Sequence, residues 1–259
     1  MKLQNKNIIL TGASSGIGLA LLKKLLEFDC RIIAVARTIE QIDIQSDRLI
    51  KYNCDVANQE NIDCLFEFAL EQLGSIDLFI ANAGFAYYEQ INNPDWNHIE
   101  AIYQTNVFSA IYSAEKMKEI NARESYRMVI TASAMSFLAV PGYSLYASTK
   151  AALHGFASGY RSELKKGQQL QLIYPISTKT NFFKQAAEET PVSWPAQTSE
   201  KVALAIVKGI KKDKNSVFPS TLFYVLNVLN GYLPFVHRLI TSIENRKFKK
   251  WLGLSLESS

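Results

Sequence analysis

The amino-acid sequence predicts an α/β fold built around one doubly wound parallel sheet. Short runs that are apolar throughout alternate along the chain with segments whose apolar residues recur at helical spacing. Uninterrupted apolar strands are typical of a parallel sheet that helices cover on both faces. With 259 residues, of which 48% are hydrophobic, the chain can bury one large core of this kind.

The first helix is predicted between two buried strands. An apolar run over 7–10 leads into Thr11 and Gly12, which indicates a strand that enters a turn. The run Ile-Ile-Ala-Val-Ala at 32–36 predicts the second strand. The stretch over 16–28 is predicted to be helical because its apolar residues recur at Ile17, Leu21, Leu22, Leu25 and Leu26.

The same alternation continues to about residue 174. A short helix over 38–45 leads to a strand over 48–53. The next helix, over 59–73, has one apolar face made of Ile62, Leu65, Phe66, Ala69 and Leu73. Further strands are predicted over 76–81, 127–132 and 169–174, with helices over 95–120 and 144–166. Right-handed crossovers between these strands give a single-domain, Rossmann-like architecture.

Composition and charge argue against several classes of protein. The formal net charge of +4 is too small to indicate a nucleic-acid partner. The three cysteines form no Cys-x-x-Cys pair, so free thiols in a reducing compartment are expected, and the isolated histidines and cysteines predict no metal site. The N-terminus shows no secretion signal and no run reaches about 18 apolar residues, so a cytoplasmic protein is expected.

A glycine-rich turn joins the first strand to the first helix, where a dinucleotide-binding loop belongs. Residues 11–18 read Thr-Gly-Ala-Ser-Ser-Gly-Ile-Gly. The glycines would allow a special backbone conformation, close approach of a pyrophosphate and close packing of the helix, and the two serines would donate hydrogen bonds and cap the helix. The alternative is a tight turn without a ligand. The cofactor contacts expected here are Gly12, Ser14, Ser15, Gly16, Ile17 and Gly18.

The end of the second strand indicates which dinucleotide binds. Enzymes that use NAD usually place Asp or Glu there to accept a hydrogen bond from the ribose 2′-hydroxyl. This chain has no acid at that point and has Arg37, whose planar guanidinium can bind a 2′-phosphate. NADP(H) is therefore expected rather than NAD(H), the alternative being that Arg37 is an ordinary surface arginine.

Together with the glycine turn, four further segments resemble the short-chain dehydrogenase/reductase family over roughly residues 5–215. They are Cys54-Asp55-Val56, Ala81-Asn82-Ala83-Gly84, Thr105-Asn106-Val107 and the stretch from Ser133 to Lys150. The resemblance implies that Asp55, beside Val56, contacts the adenine and that Asn82, Ala83 and Gly84 line the cofactor. It also implies an oxidoreductase that moves a hydride between a nicotinamide and a carbonyl or alcohol carbon of a small molecule.

Two Tyr-x-x-x-Lys pairs fit the family's catalytic motif. Tyr112 with Lys116, and Tyr146 with Lys150, each place both side chains on one helix face, so the spacing alone does not choose between them. In the family a serine lies thirteen residues before the tyrosine. That position is Ser133 for Tyr146 and an isoleucine for the other pair, so Tyr146 is the expected catalytic tyrosine.

The resemblance implies a role for each catalytic residue. Tyr146 would exchange a proton with the substrate oxygen, and Lys150 would lower the pKa of that tyrosine and hold the nicotinamide ribose. Ser133 would hydrogen-bond the substrate oxygen where negative charge develops. Asn106 would hold a water that links Lys150 to solvent.

Two positions depart from the family pattern. Ile176 stands where the family has a glycine after Pro175, and a positive φ there would strain an isoleucine. The departure affects Thr178 and Thr180, which are expected to contact the cofactor. Ser136 replaces a glycine that often follows the catalytic serine.

Residues 181–198 are expected to form a lid over the substrate. Its apolar composition predicts a fairly hydrophobic substrate, although the same residues could simply anchor the loop to the core. The residues concerned are Phe182, Phe183, Pro191, Val192, Trp194 and Pro195.

The C-terminal part of the chain is expected to be an extension, residues 216–259, of a catalytic domain formed by residues 1–215. Its apolar stretch over 217–240 is interrupted by Pro219, Gly231 and Pro234, and a basic stretch over 246–250 follows. Residues 217–252 therefore predict peripheral membrane contact or a lipid-like substrate. The alternatives are packing on the domain or on a partner subunit.

Other functions and assemblies stay open from the sequence. A regulator or scaffold that senses a dinucleotide without turnover is the main alternative. An epimerase or dehydratase acting on sugar nucleotides is disfavoured because the chain lacks a large C-terminal substrate domain. A homodimer or tetramer would pack the helices over 95–120 and 144–166 against a second copy.

Overall fold

The computed structural model describes residues 1–180, 182, 186–187, 190–191, 195–230 and 235–253. Its strands are β1 (Lys6–Thr11), β2 (Cys30–Ala36), β3 (Leu49–Asn53), β4 (Leu78–Ala81), β5 (Arg127–Thr131), β6 (Gln169–Ile173), β7 (Thr178–Lys179), β8 (Gln197–Thr198) and β9 (Ser216–Val217). Its α-helices are α1 (Gly16–Leu25), α2 (Gln59–Leu73), α3 (Trp96–Tyr103), α4 (Ser109–Ile120), α5 (Ser144–Tyr160), α6 (Ser199–Lys211), α7 (Thr221–Asn230) and α8 (Phe235–Trp251).

Seven strands form the main sheet, in the order β3-β2-β1-β4-β5-β6-β9. All neighbouring pairs are parallel, and Ile8 of β1 pairs with Ile32 on one side and Leu78 on the other. The chain winds outward from β1 in both directions, which confirms the predicted doubly wound, Rossmann-like fold. The carboxyl ends of these strands share one edge, where ligands of such sheets bind.

Alternate residues of the strands enter two apolar cores, one on each face of the sheet. Ile9 and Phe79 pack with buried residues of α2, α4 and α5. Ile8 and Leu10 pack on the other face with buried residues of α1 and α6. Because both faces are covered, every strand near the centre is apolar throughout, as the sequence pattern indicates.

Helix α2 has the bounds that the sequence predicts, and its ends show why. The Asn58 side chain accepts a hydrogen bond of 3.1 Å from the Asn61 N–H and so caps the first turn. Gly74 ends the helix in the left-handed conformation, with φ of 78°. Asp95 caps α3 in the same way through the His98 N–H, at 3.0 Å.

Three predicted elements differ from the structure. The helix over 95–120 contains a π-helical turn at Gln104–Phe108, the segment over 38–45 is one short 3₁₀ turn at Ile39–Gln41, and the helix over 144–166 ends at Tyr160. Strand β9 was not predicted, and it places the first two residues of the expected extension in the main sheet. No helix within the described ranges combines the length and apolar character that crossing a bilayer requires.

Candidate active site

One deep cleft of about 920 Å³ lies at the carboxyl edge of the sheet. It brings together almost all the residues that the sequence predicts to be functional. Of these, the cleft is lined by Gly12, Ser14, Ser15, Gly16, Ile17, Arg37, Asp55, Val56, Asn82, Ala83, Gly84, Ser133, Tyr146, Lys150, Thr178 and Thr180. Gly18 and Asn106 lie behind this wall and act on the residues that form it.

The glycine turn has the backbone that its sequence predicts. Gly12 and Gly16 both have positive φ, 65° and 53°, which residues with a Cβ rarely adopt. At Gly18 a Cβ would overlap the carbonyl oxygen of Gly12, so α1 can pack against the turn only because that position is glycine. Ser15 is the N-cap residue of α1, but its side chain makes no capping hydrogen bond, so the predicted hydroxyl cap is wrong.

Thr11, for which the sequence predicted no role, stabilises the base of the cleft beside the glycine turn. The Thr11 hydroxyl accepts hydrogen bonds of 3.1 Å from the N–H groups of both Asn82 and Ala83. The Asn82 side chain in turn donates to the Gly12 carbonyl at 3.3 Å and accepts from the Thr131 hydroxyl at 3.2 Å. These bonds tie the ends of β1, β4 and β5 together beneath the cleft.

Arg37 and Asp55 occupy the outer end of the cleft. The Arg37 side chain is 75% exposed, and its guanidinium lies 4.0 Å from the Asp55 carboxylate. The other Asp55 oxygen accepts a hydrogen bond from the Ala57 N–H at 3.0 Å, which fixes the turn that contains buried Val56. The structure therefore leaves the guanidinium accessible to an anionic ligand at the mouth of the cleft.

Ser133, Tyr146 and Lys150 meet at the inner end of the cleft. Ser133 follows β5 and accepts a hydrogen bond from the Met135 N–H at 3.1 Å, and its side chain lies near Tyr146, where it lowers the pKa of the phenol. Tyr146 and Lys150 lie one turn apart on α5, with the ammonium nitrogen 5.6 Å from the centre of the phenol ring. Both side chains are buried, and that of Lys150 is only 4% exposed.

Burial dominates the electrostatics of this pair. It raises the pKa of Tyr146 to about 12, an increase that the nearby Ser133 hydroxyl opposes. It also lowers the pKa of Lys150 to about 8, because the charged ammonium loses its water. The lowered tyrosine pKa that the sequence led us to expect is therefore not produced by the protein groups of the site alone.

Asn106 positions the loop beside Lys150 from the π-helical turn between α3 and α4. Its side-chain oxygen accepts from the Phe85 N–H at 3.0 Å, and its nitrogen donates to the Phe85 carbonyl at 2.9 Å and to the Thr149 hydroxyl at 3.2 Å. A Cβ at Gly84 would lie 2.9 Å from the Asn106 oxygen and 3.6 Å from the Lys150 nitrogen. Gly84 is therefore the residue that lets these two groups approach each other.

The two departures from the family pattern have local explanations. Among the described residues, those other than glycine with positive φ are Asn5 and Asp213, so Ile176 avoids the strained conformation. The Thr178 hydroxyl donates to the Ile176 carbonyl at 2.8 Å and stabilises the loop. The Ser136 hydroxyl donates to the Lys150 carbonyl at 2.7 Å, which ties the loop after Ser133 to α5.

The second Tyr-x-x-x-Lys pair belongs to a different surface. The Tyr112 hydroxyl donates to the Asp63 carboxylate at 2.8 Å, and the Lys116 ammonium lies 3.1 Å from the same carboxylate. These contacts join α4 to α2, away from the cleft. Tyr112 is thus a packing residue, as its lack of a partner serine suggested.

Helices α7 and α8 form a wall of the cleft that the sequence reading did not assign to it. Their residues in the cleft are Leu222, Phe223, Leu226, Ile240, Ile243, Glu244 and Lys247. Phe182 of the predicted lid places its ring 5.6 Å from that of Tyr146, and Pro195 also lines the cleft. Pro191, another residue of the predicted lid within the described ranges, does not line the cleft. The lid residues Phe183, Val192 and Trp194 lie outside the described residues, as do Gly231 and Pro234.

Known proteins share both the sequence pattern and the fold. The family model described as short chain dehydrogenase matches residues 6–191. A 3-ketodihydrosphingosine reductase from Dictyostelium discoideum is 29% identical, over 90% of this chain and 80% of its own.

Two solved structures have the same fold at lower sequence identity. A short-chain dehydrogenase from Burkholderia cenocepacia in complex with NADP has a TM-score of 0.77 and 19% identity, and the match covers 89% of this chain and 94% of its own. A short-chain dehydrogenase/reductase from Burkholderia phymatum in complex with NAD has a TM-score of 0.76 and 18% identity, and the match covers 100% of this chain and 99% of its own.

The fold and the site together define an oxidoreductase of the nicotinamide-dinucleotide type. The glycine turn, the Asn-Ala-Gly turn and the buried Ser-Tyr-Lys group lie along one cleft, and the family model covers most of the chain. The chain belongs to the short-chain dehydrogenase/reductase family.

Proposed function

We propose that the protein is an NADP(H)-dependent reductase or dehydrogenase that acts on a carbonyl or alcohol carbon of a fairly hydrophobic substrate. The observation that carries the proposal is the continuity of the cleft. The glycine turn at its dinucleotide end and the Ser133–Tyr146–Lys150 group at its inner end line one and the same space. A ligand that spans the cleft would thus reach from the turn to the buried phenol.

The residues of the outer half suit a dinucleotide. The turn at Gly12 and Gly16 leads directly into the N-terminus of α1, where free N–H groups favour a pyrophosphate. Asp55 and the Asn82–Gly84 turn would border the adenine and ribose, and Lys150 would hold the second ribose. Accessible Arg37 would bind a 2′-phosphate. When bound, the nicotinamide supplies or accepts the hydride.

The protein residues of the inner half handle the proton. The Tyr146 hydroxyl would donate to the substrate oxygen during reduction and take the proton back during oxidation. Ser133, whose side chain lies near that hydroxyl and lowers its pKa, would donate to the same substrate oxygen and orient it. Lys150, when its ammonium is charged, would favour the ionised form of the Tyr146 phenol. Asn106 would hold the water that connects Lys150 to solvent. The side-chain hydrogen bonds of Asn106 to Phe85 and Thr149 support a further role as a positioning residue.

The remaining walls support an apolar substrate. Phe182, Leu226 and Ile240 line the cleft, and the Phe182 ring lies 5.6 Å from that of Tyr146. The relative from Dictyostelium is named for the reduction of 3-ketodihydrosphingosine, an amphipathic ketone. We extend that substrate class, an amphipathic ketone or the matching alcohol, to this chain. In this proposal residues 1–215 with the lid over 181–198 bear catalysis, and residues 216–259 complete the substrate side.

Turnover assays test the proposal directly. NADPH oxidation is followed with a panel of ketones and aldehydes of increasing chain length, beside the matched variants Tyr146→Phe and Tyr112→Phe. We expect Tyr146→Phe to lower kcat at least about 10²-fold, the usual contribution of a general acid, and Tyr112→Phe to leave it unchanged. Equal turnover by wild type and Tyr146→Phe, or none by wild type with any substrate, contradicts the proposal and favours the dinucleotide-sensing alternative.

The cofactor preference has a separate test. Arg37→Ala should raise the KM for NADPH and leave the KM for NADH nearly unchanged, because the lost guanidinium serves only the 2′-phosphate. A parallel rise in both KM values would assign Arg37 a general role. The predicted homodimer or tetramer through α4 and α5 is a question for analytical ultracentrifugation.

A further inference from the structure

Helix α7 has two faces with different surroundings. Phe223 and Leu226 point into the cleft and are partly buried. On the opposite face Tyr224, Val225, Val228 and Leu229 are between 41% and 48% exposed. The sequence of α7 contains no charged residue, so its outer face is an apolar surface open to solvent, an arrangement that usually marks an interaction site.

Helix α8 continues this pattern and adds charge. Leu239 is 60% exposed, and Arg246 and Lys250, at i+7 and i+11 from it, are exposed on the same stripe of the helix. The opposite stripe is partly buried, with Phe248 packed on Tyr88. The exposed side of α8 therefore runs from apolar to cationic along the helix.

The charge on these helices is mainly positive. Helix α8 has five Lys or Arg and one acid, Glu244, in its sequence, and α7 has no charged residue. Glu244 forms an ion pair with Lys247 at 2.7 Å, which leaves the exposed ammonium and guanidinium groups in clear excess. A second copy of the chain would bring the same cationic groups to the interface, so self-association is opposed by like charges.

We infer that the outer surface of α7 and α8 docks on a lipid bilayer that contains anionic headgroups. The apolar side chains would enter the boundary between headgroups and acyl chains, and Arg246 and Lys250 would contact the anionic headgroups. The inner faces of the same two helices form the substrate wall of the cleft. The enzyme would thereby take an amphipathic ketone from the bilayer, a consequence that rests on the proposed function, whereas the docking itself does not.

Vesicle co-sedimentation of the full-length protein tests the docking. The probes are vesicles of phosphatidylcholine alone and of phosphatidylcholine mixed with phosphatidylglycerol. We expect binding to the mixed vesicles, weaker binding to the neutral ones, and release of the protein by high salt. Because each cation near an anionic surface contributes about fivefold in affinity, Arg246→Gln with Lys250→Gln should lower the partition coefficient on the order of 30-fold.

A matched pair of variants separates docking from general effects of charge. Val225→Asp places one carboxylate on the outer face of α7, and Leu204→Asp places one on α6 at a site that is 57% exposed. The α7 variant should lose vesicle binding, and the α6 variant should keep it. All these variants should reduce a small water-soluble ketone at the wild-type rate, since none of the altered residues lines the cleft.

Each outcome decides one question. Equal sedimentation of wild type and the α7 variant, or no binding by wild type, overturns the docking. A wild-type dimer that the α7 variant converts to a monomer without vesicles also overturns it and makes the surface a contact between copies. Vesicle binding without turnover of any ketone leaves the docking intact and removes the proposed function, and turnover without vesicle binding does the reverse.

Discussion

Replacing Lys150 by methionine should stabilise the protein while it removes activity. Lys150 is 4% exposed, and burial lowers its pKa from 10.5 to about 8. That difference corresponds to about 3 kcal/mol against folding whenever the lysine is charged in both states. Methionine has nearly the same shape but leaves the Thr131 carbonyl without the donor now 2.8 Å away, which costs about 1–2 kcal/mol. The expected net gain at pH 7 is about 1–2 kcal/mol.

The pH dependence of this gain follows from the two pKa values. Between pH 8 and 10.5 the unfolded wild-type chain binds a proton on Lys150 that the folded protein has lost. The free energy of unfolding of the wild type therefore rises relative to that of Lys150→Met across this window. The advantage of the variant should be complete below pH 8 and should shrink steadily as the pH approaches 10.5. Tyr146, whose pKa is about 12, stays protonated across this window and does not disturb the comparison.

Urea unfolding and thermal unfolding of wild type and Lys150→Met at pH 7, 9 and 10 measure the effect. We expect the melting temperature of the variant at pH 7 to be higher by several degrees, at about 2–4 °C for each kcal/mol, and kcat to fall at least about 10²-fold. A variant less stable than wild type at pH 7, or a difference that stays constant up to pH 10, would show that the buried ammonium is not unfavourable. The reasoning would then fail even if activity were lost.

Three further substitutions test the rest of the site. Gly18→Ala should destabilise the protein by about 1–3 kcal/mol and abolish NADPH binding, measured by urea unfolding and fluorescence titration, because the new Cβ overlaps the Gly12 carbonyl. Tyr112→Phe should raise the pKa of Asp63, visible by NMR titration, because the hydrogen bond from Tyr112 is the largest cause of the low pKa of that carboxyl. Ile176→Gly should destabilise the loop by about 1 kcal/mol in urea unfolding and leave NADPH affinity unchanged, since the backbone there does not need glycine.

Features that depend on residues adjacent in the sequence could be predicted. A run of apolar residues such as 32–36 must be buried on both faces, and the caps at Asn58 and Gly74 fix a helix within one residue. The glycine turn is equally local, because only glycine adopts the positive φ at Gly12 and Gly16 readily. The fold class and the glycine turn of the cleft could therefore be predicted from the sequence.

Contacts between distant segments could not be predicted in this way. The Thr11 hydroxyl serves Asn82 and Ala83, seventy-one and seventy-two residues away, and nothing in the sequence around Thr11 marks it. The π-helical turn around Asn106 depends on its bonds to Phe85 and Thr149, so helical periodicity alone predicted a regular helix. The pKa of Tyr146 was expected to fall because spacing reveals the neighbouring lysine but not the burial of both groups.

The two ends of the cleft therefore differ in how strongly the fold restricts their amino-acid sequence. The dinucleotide end is built from main-chain geometry at a few glycines, which leaves little freedom for change without loss of the fold. The inner end of the cleft is lined by side chains of α5, α7 and α8 and by Phe182, and the backbone there would tolerate other residues at Phe223, Leu226 or Ile240. Because those side chains line the cleft and are not part of the two apolar cores on the sheet, substitutions there should change which substrate the proposed activity accepts and leave dinucleotide binding and stability nearly constant.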